Sequence, residues 1–258
     1  MNTLKKGVFI LPNFLTSLSL FCGFYAVIAT MQGNYVFGAW AIVIASVFDG
    51  LDGRIARMTN TTSKFGVEYD SLSDLVAFGV APAVLAFGWV LQQYGRLGWL
   101  AAFLYVACGA MRLARFNVLA GTTTNKYFQG LPIPAAAGMV ASTIIFCFHF
   151  QVADKQLLSI FLLLIIYAMA FLMVSTMRFQ SFKDLDLGSR KPFNAVVAVI
   201  LLIIVFAMEP QVMLFAIALL YVLSGPAGYI IYLARKKKRN EIQSVTAGER
   251  DECHESKN

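Results

Sequence analysis

YVFGAWAIVIASVFDGLDGRIAR, residues 35–57, is apolar for most of its length and then carries Asp49 and Asp52 near its end. A second stretch, GVEYDSLSDLVAFGVAPAVLAFGWVL (66–91), carries Asp70 and Asp74 near its beginning. Each stretch has the length and composition of a membrane-crossing helix. A carboxylate buried in such a helix costs several kcal/mol unless something neutralises it, so four of them in two neighbouring spans imply bound cations.

Outward from these two stretches the pattern repeats. Of the 258 residues 59% are hydrophobic and only 14% charged, with a mean hydropathy of +0.69; soluble domains carry roughly 25% charge. Long apolar runs recur along the chain, with glycine and alanine spread through them as close helix packing in lipid favours. The expected fold is therefore all-α: a polytopic helical membrane bundle of about eight spans. Their limits are near 9–31, 35–57, 66–92, 97–119, 131–150, 156–177, 192–209 and 211–234. Residues 1–239 form one membrane domain, and the polar tail 240–258 is too short to fold alone.

Basic residues give the orientation. With the N-terminus in the cytoplasm, only Arg96 and Lys155 of the 21 Lys and Arg fall on the outer side. That asymmetry places both ends inside and puts the aspartate-bearing ends near the cytoplasmic boundary. The segment 177–193 is expected along the inner surface. RKKKR (235–239) serves as a topology anchor or an anionic-lipid contact. Pro12-Asn13 interrupts the first apolar run and no small-residue cleavage site follows, so this run is read as a retained helix. Cys22, Cys108, Cys147 and Cys253 show no CxxC or Cys/His spacing, and His149 and His254 stand isolated; none is assigned a metal.

Asp49 and Asp52 are three residues apart and Asp70 and Asp74 four apart, so each pair shares one helix face. Gly53 and Ala56 continue the first face with small side chains, and Gly66 gives similar room on the second. A flat ligand such as a nucleotide base has space there. The short polar linker after residue 57 makes the two helices antiparallel neighbours with their aspartates facing. An all-oxygen donor set selects Mg²⁺, Mn²⁺ or Ca²⁺. Arg57, one turn further on, meets remaining negative charge. Carboxylate pairs, divalent ions and an arginine suit phosphoryl transfer; a cation or proton pathway uses intramembrane carboxylates too. These residues alone leave both open.

The spacing Asp49-x2-Asp52-Gly53-x2-Ala56-Arg57-x8-Gly66-x3-Asp70-x3-Asp74 resembles the signature of the CDP-alcohol phosphatidyltransferases at every specified position. The resemblance implies that Asp49, Asp52 and Asp70 bind metal, Mg²⁺ or Mn²⁺ and two ions in all. It implies that Asp74 is the general base and helps hold the second ion. Gly53, Ala56, Arg57, Ser63 and Gly66 correspond to positions around the CDP-lipid, CDP-diacylglycerol. Pro12-Asn13-x2-Thr16 looks like the family segment that closes over the cytidine diphosphate. Further along, MRLARFNVLAG (111–121) and FQGLPIPAAAG (128–138) resemble the phosphatidylserine synthase subgroup, with L-serine as acceptor and CMP as the other product. Arg112 and Arg115, one turn apart, and Asn117 are the candidate serine contacts, because guanidinium binds a carboxylate through two parallel hydrogen bonds. Gly130, Pro132 and Pro134 shape the start of the fifth span. The family also implies a homodimer among membrane lipids, in the cell membrane with its site facing the cytoplasm, and no nucleic-acid partner. The rival readings are a sister enzyme using glycerol 3-phosphate, inositol phosphate or choline, and a carboxylate-lined cation transporter.

Overall fold

The computed structural model describes residues 3–59, 63–120, 128–152, 154–179 and 208–229. Their order is α1 (Thr3–Met31), α2 (Tyr35–Met58), α3 (Lys64–Asp74), a π-helical segment (Leu75–Val80), α4 (Ala81–Trp89), a 3₁₀ turn (Leu91–Tyr94) and α5 (Arg96–Ala120). After β1 (Phe128–Gln129) come α6 (Ile133–His149), α7 (Lys155–Val174), β2 (Arg178–Phe179) and a last helix α8 (Pro210–Tyr229). Among the described residues, six helices are long and apolar enough to cross a membrane, the α3–π–α4 rod Lys64–Trp89 counting as one. The polytopic helical bundle expected from the sequence is what the structure shows. The expected span 192–209 lies almost wholly outside the described residues, as does the tail 240–258.

The expected fifth span is shorter than drawn. α6 has 17 residues, about 26 Å of helix against a hydrocarbon core of about 30 Å. It is also the most enclosed helix, with Ala136, Ala137, Val140 and Ile144 fully buried. Non-helical backbone at membrane depth is tolerated where protein surrounds it, and the residues before α6 use that freedom. Gly130 takes a φ of +85° that side-chain-bearing residues rarely adopt, and its amide donates to Met177 O at 2.9 Å. Leu131 N donates to Leu172 O at 3.0 Å. With the two-residue antiparallel ladder of β1 and β2, these bonds tie the start of α6 to the end of α7. Of Gly130, Pro132 and Pro134, expected to shape this start, Gly130 takes part in the clamp, and Pro132 O accepts from Ala135 N and Ala136 N at 3.1 Å in the first turn of α6.

α1 and α2 form a hairpin closed by a glycine. Gly33, at φ +78°, donates to Thr30 O at 2.9 Å while Asn34 N donates to Ala29 O at 2.8 Å, which caps the last carbonyls of α1. Small residues line the contact: Ala26, Ala39 and Ala45 are fully buried. α1 also packs along α3, the π segment and α4. A Cβ on Gly23 would lie 2.5 Å from the Cα of Ala77, so the backbones meet there with no room for a side chain. α1 therefore lies against both aspartate-bearing helices. The bundle is held by Phe78, Leu85, Tyr105, Ile133, Ile166 and Met173, while Phe24, Phe37, Phe103, Leu164 and Phe171 point outward. Such an apolar exterior suits a lipid environment. At the far end from the aspartates, His149 Nε2 lies 3.2 Å from Glu209, joining α6 to the start of α8. The histidine that looks isolated in sequence has a partner from another helix.

Candidate active site

The two stretches do converge. A carboxylate oxygen from each of Asp49, Asp70 and Asp74 lies within 4.8 Å of the others. Carboxylates this close repel one another unless a proton or a cation offsets their charge. Asp70 Oδ1 is buried with no hydrogen-bond partner among the described residues. A buried oxygen without a partner is costly, and a cation ligated by this oxygen would offset that cost. An all-oxygen cluster of this kind fits a hard divalent cation.

Asp52 stands slightly apart. It is 5% exposed, and its Oδ2 accepts from the Thr16 hydroxyl at 2.7 Å. Thr16 O in turn accepts from Ser73 Oγ at 3.1 Å, so one residue of α1 bonds to α2 and α3 together. Beside this node lies a cavity of about 150 Å³. Its walls are Pro12, Asn13 and Thr16 of α1, Asp52, Gly53 and Ala56 of α2, Ser63 before α3, and Gly66, Val67 and Asp70 of α3. The positions expected around the CDP-lipid thus line one hollow, except Arg57, whose side chain lies outside the described residues.

Local sequence explains the hollow. Ser63 caps α3, its Oγ accepting from Gly66 N at 2.9 Å, which leaves its hydroxyl proton free to donate into the cavity. Among the described residues nothing lies within 4 Å of where a Gly53 Cβ would stand, so a side chain there would meet none of them. The N-terminus of α3, the positive end of its dipole, opens on the same side and favours anionic groups.

α5 supplies the remaining candidates. Arg112 is half-buried, lies within electrostatic reach of Asp74, and has a buried Nε with no hydrogen-bond partner among the described residues. Asn117 Nδ2 donates to Ser71 Oγ at 3.0 Å, immediately beside Asp70. Arg115, one turn from Arg112, is exposed. The structure therefore separates the two arginines that sequence spacing grouped together.

Two nearby residues were not singled out by the sequence. Tyr221 of α8 packs against the core and lies within electrostatic reach of Arg112. Tyr105, fully buried, donates from its phenol to Phe78 O at 3.1 Å, inside the π segment that follows Asp74. Long-range contacts of this sort leave no local mark, although Pro82 within an apolar span does signal an irregular helix.

Comparison with known proteins finds relatives over most of this chain. The family model described as CDP-alcohol phosphatidyltransferase matches residues 9–172. A Helicobacter pylori protein named CDP-diacylglycerol--serine O-phosphatidyltransferase is 37% identical over 214 residues, 83% of this chain and 90% of the relative. A Saccharomyces cerevisiae protein of the same name is 42% identical over 144 residues, covering 50% of this chain and 51% of its own. The Archaetidylserine synthase of Methanothermobacter thermautotrophicus is 35% identical over 182 residues, 69% of this chain and 73% of that one.

Proposed function

This chain belongs to the CDP-alcohol phosphatidyltransferase family, and we propose that it transfers the phosphatidyl group of CDP-diacylglycerol to the hydroxyl of L-serine, releasing CMP. The names of its relatives support serine as acceptor. The observation that carries the acceptor reading on this chain is Arg112: a half-buried guanidinium beside Asp74 with a buried, unpartnered Nε among the described residues. A serine whose hydroxyl reaches Asp74 can place its carboxylate on that guanidinium.

Asn13, Thr16, Gly53, Ala56, Ser63 and Gly66 would receive the cytidine diphosphate, with Arg57 on the last turn of α2 meeting its charge. Asp49, Asp52, Asp70 and Asp74 would hold Mg²⁺ or Mn²⁺, two ions in all. When bound, they supply charge neutralisation on the diphosphate and on the departing CMP. Asp74 accepts the serine hydroxyl proton as the serine oxygen bonds to the lipid-side phosphorus, and the bond from that phosphorus to the CMP oxygen breaks. Arg112 orients the amino acid through its carboxylate, and Asn117 stands beside it to meet the other polar groups. The motif holds no nucleophile of its own, so the transfer is a direct displacement. Basic-residue asymmetry supports a site facing the cytoplasm in a cell membrane, where serine arrives from water and the lipid enters sideways. Two copies are expected to associate, which cross-linking in membranes tests.

The deciding experiment supplies purified protein with CDP-diacylglycerol, Mn²⁺ or Mg²⁺ and a panel of alcohols, then measures CMP and identifies the lipid. Phosphatidylserine is expected, with activity lost on chelation and restored by added metal. Product with glycerol 3-phosphate but not serine would overturn the acceptor. Cation flux without CMP release would overturn the enzyme.

A further inference from the structure

The rod carrying Asp70 and Asp74 is not one continuous α-helix. From Leu75 to Val80 it is π-helical, and Ala81 N–H donates to Val76 O, five residues back. Such a widened turn accommodates an extra residue, and one residue is about 100° of helix rotation. The turn therefore sets the direction in which Asp70 and Asp74 point relative to α4, whose Ala81, Pro82, Leu85 and Ala86 are fixed in the core.

Two residues account for the turn. Pro82 has no amide hydrogen, so the carbonyl four residues before it, Phe78 O, has no α-helical donor. Phe78 is fully buried, where a carbonyl without a partner is costly. The phenol of Tyr105, on α5 and also fully buried, donates to that oxygen at 3.1 Å. One residue denies the α-helical bond and the other replaces it.

We propose that Tyr105 is a positioning residue for the aspartate cluster: with Pro82 it holds the π turn that aims Asp70 and Asp74 at Asp49. The proposal rests on reading those aspartates as metal ligands. Its effect is on metal affinity, because the turn fixes how closely the three carboxylates meet, and the tyrosine touches neither substrate nor ion.

The test is Mn²⁺ binding to the purified full-length protein, followed through the EPR signal of free Mn²⁺ and so independent of turnover. Tyr105→Phe keeps the ring and removes the donor; it should weaken Mn²⁺ affinity about tenfold, as loss of an outer support typically does. Tyr94→Phe is the control, since it removes a phenol bonded to Ser159 at 3.0 Å on the opposite side of the bundle; it should leave the affinity unchanged. Unchanged affinity in Tyr105→Phe, or an equal loss in Tyr94→Phe, overturns the proposal. Where Tyr105→Phe fails to fold, Pro82→Ala decides. It returns an amide donor to Phe78 O and lets the segment revert to α-helix, so affinity should fall again, and wild-type affinity overturns the proposal. A wild-type protein that binds no Mn²⁺ instead sinks the metal reading beneath it.

Discussion

The Thr16 hydroxyl donates to the Asp52 carboxylate at 2.7 Å, linking α1 to α2 at the wall of the cavity. Only 5% of Asp52 is exposed, so this donor is the near partner of a largely buried carboxylate. Hydrogen bonds to charged groups contribute about 1.5–3 kcal/mol. Thr16→Val, nearly isosteric, should therefore lower kcat/KM for CDP-diacylglycerol about tenfold or more. Steady-state kinetics with the lipid varied would show it, and unchanged kinetics would mean the bond is incidental to donor binding.

Asp74→Asn preserves shape and removes the proton acceptor. General-base catalysis contributes about 10²–10⁴ in rate, so kcat should drop by that order. Phosphatidylserine formation is the readout. Near-normal turnover would remove Asp74 from the role of base.

Arg112→Lys keeps the charge and loses the two-pronged donor geometry. The KM for serine should rise about tenfold or more, with the lipid KM little changed. Exposed Arg115→Lys should leave serine KM near wild type. If both substitutions leave it unchanged, neither arginine reads the serine carboxylate.

Gly23→Ala tests the packing that brings α1 against the rod. The new methyl would lie 2.5 Å from Ala77 Cα, with backbone rather than a flexible side chain in the way. Overpacking of this kind costs about 1–3 kcal/mol. A lowered midpoint of thermal unfolding in detergent is expected, and a wild-type midpoint would show that α1 shifts freely.

The six spans seen among the described residues, their order and the motif were legible in the sequence because each depends on a local property. Hydropathy over some twenty residues marks a helix, and Asp49, Asp52, Asp70 and Asp74 keep fixed spacings whatever surrounds them. The lining of the cavity was legible too, because Gly53, Ala56 and Gly66 are small residues on the same faces as those carboxylates. The short α6 was not, since an apolar run of sequence records burial without saying whether lipid or protein provides it. Nor did the spacing of Arg112 and Arg115 reveal that one faces Asp74 while the other is exposed.

The sequence by itself determined a helical membrane bundle with four carboxylates on two neighbouring helices, because periodicity and charge act through near neighbours along the chain. Only the tertiary structure decided which of them meet. Asp49, Asp70 and Asp74 cluster while Asp52 turns to Thr16. That outcome depends on α1 packing against both helices and on Tyr105 donating to Phe78 O from α5. These contacts join residues dozens of positions apart, and a hydrogen bond or backbone contact at that separation exists only once the bundle has closed.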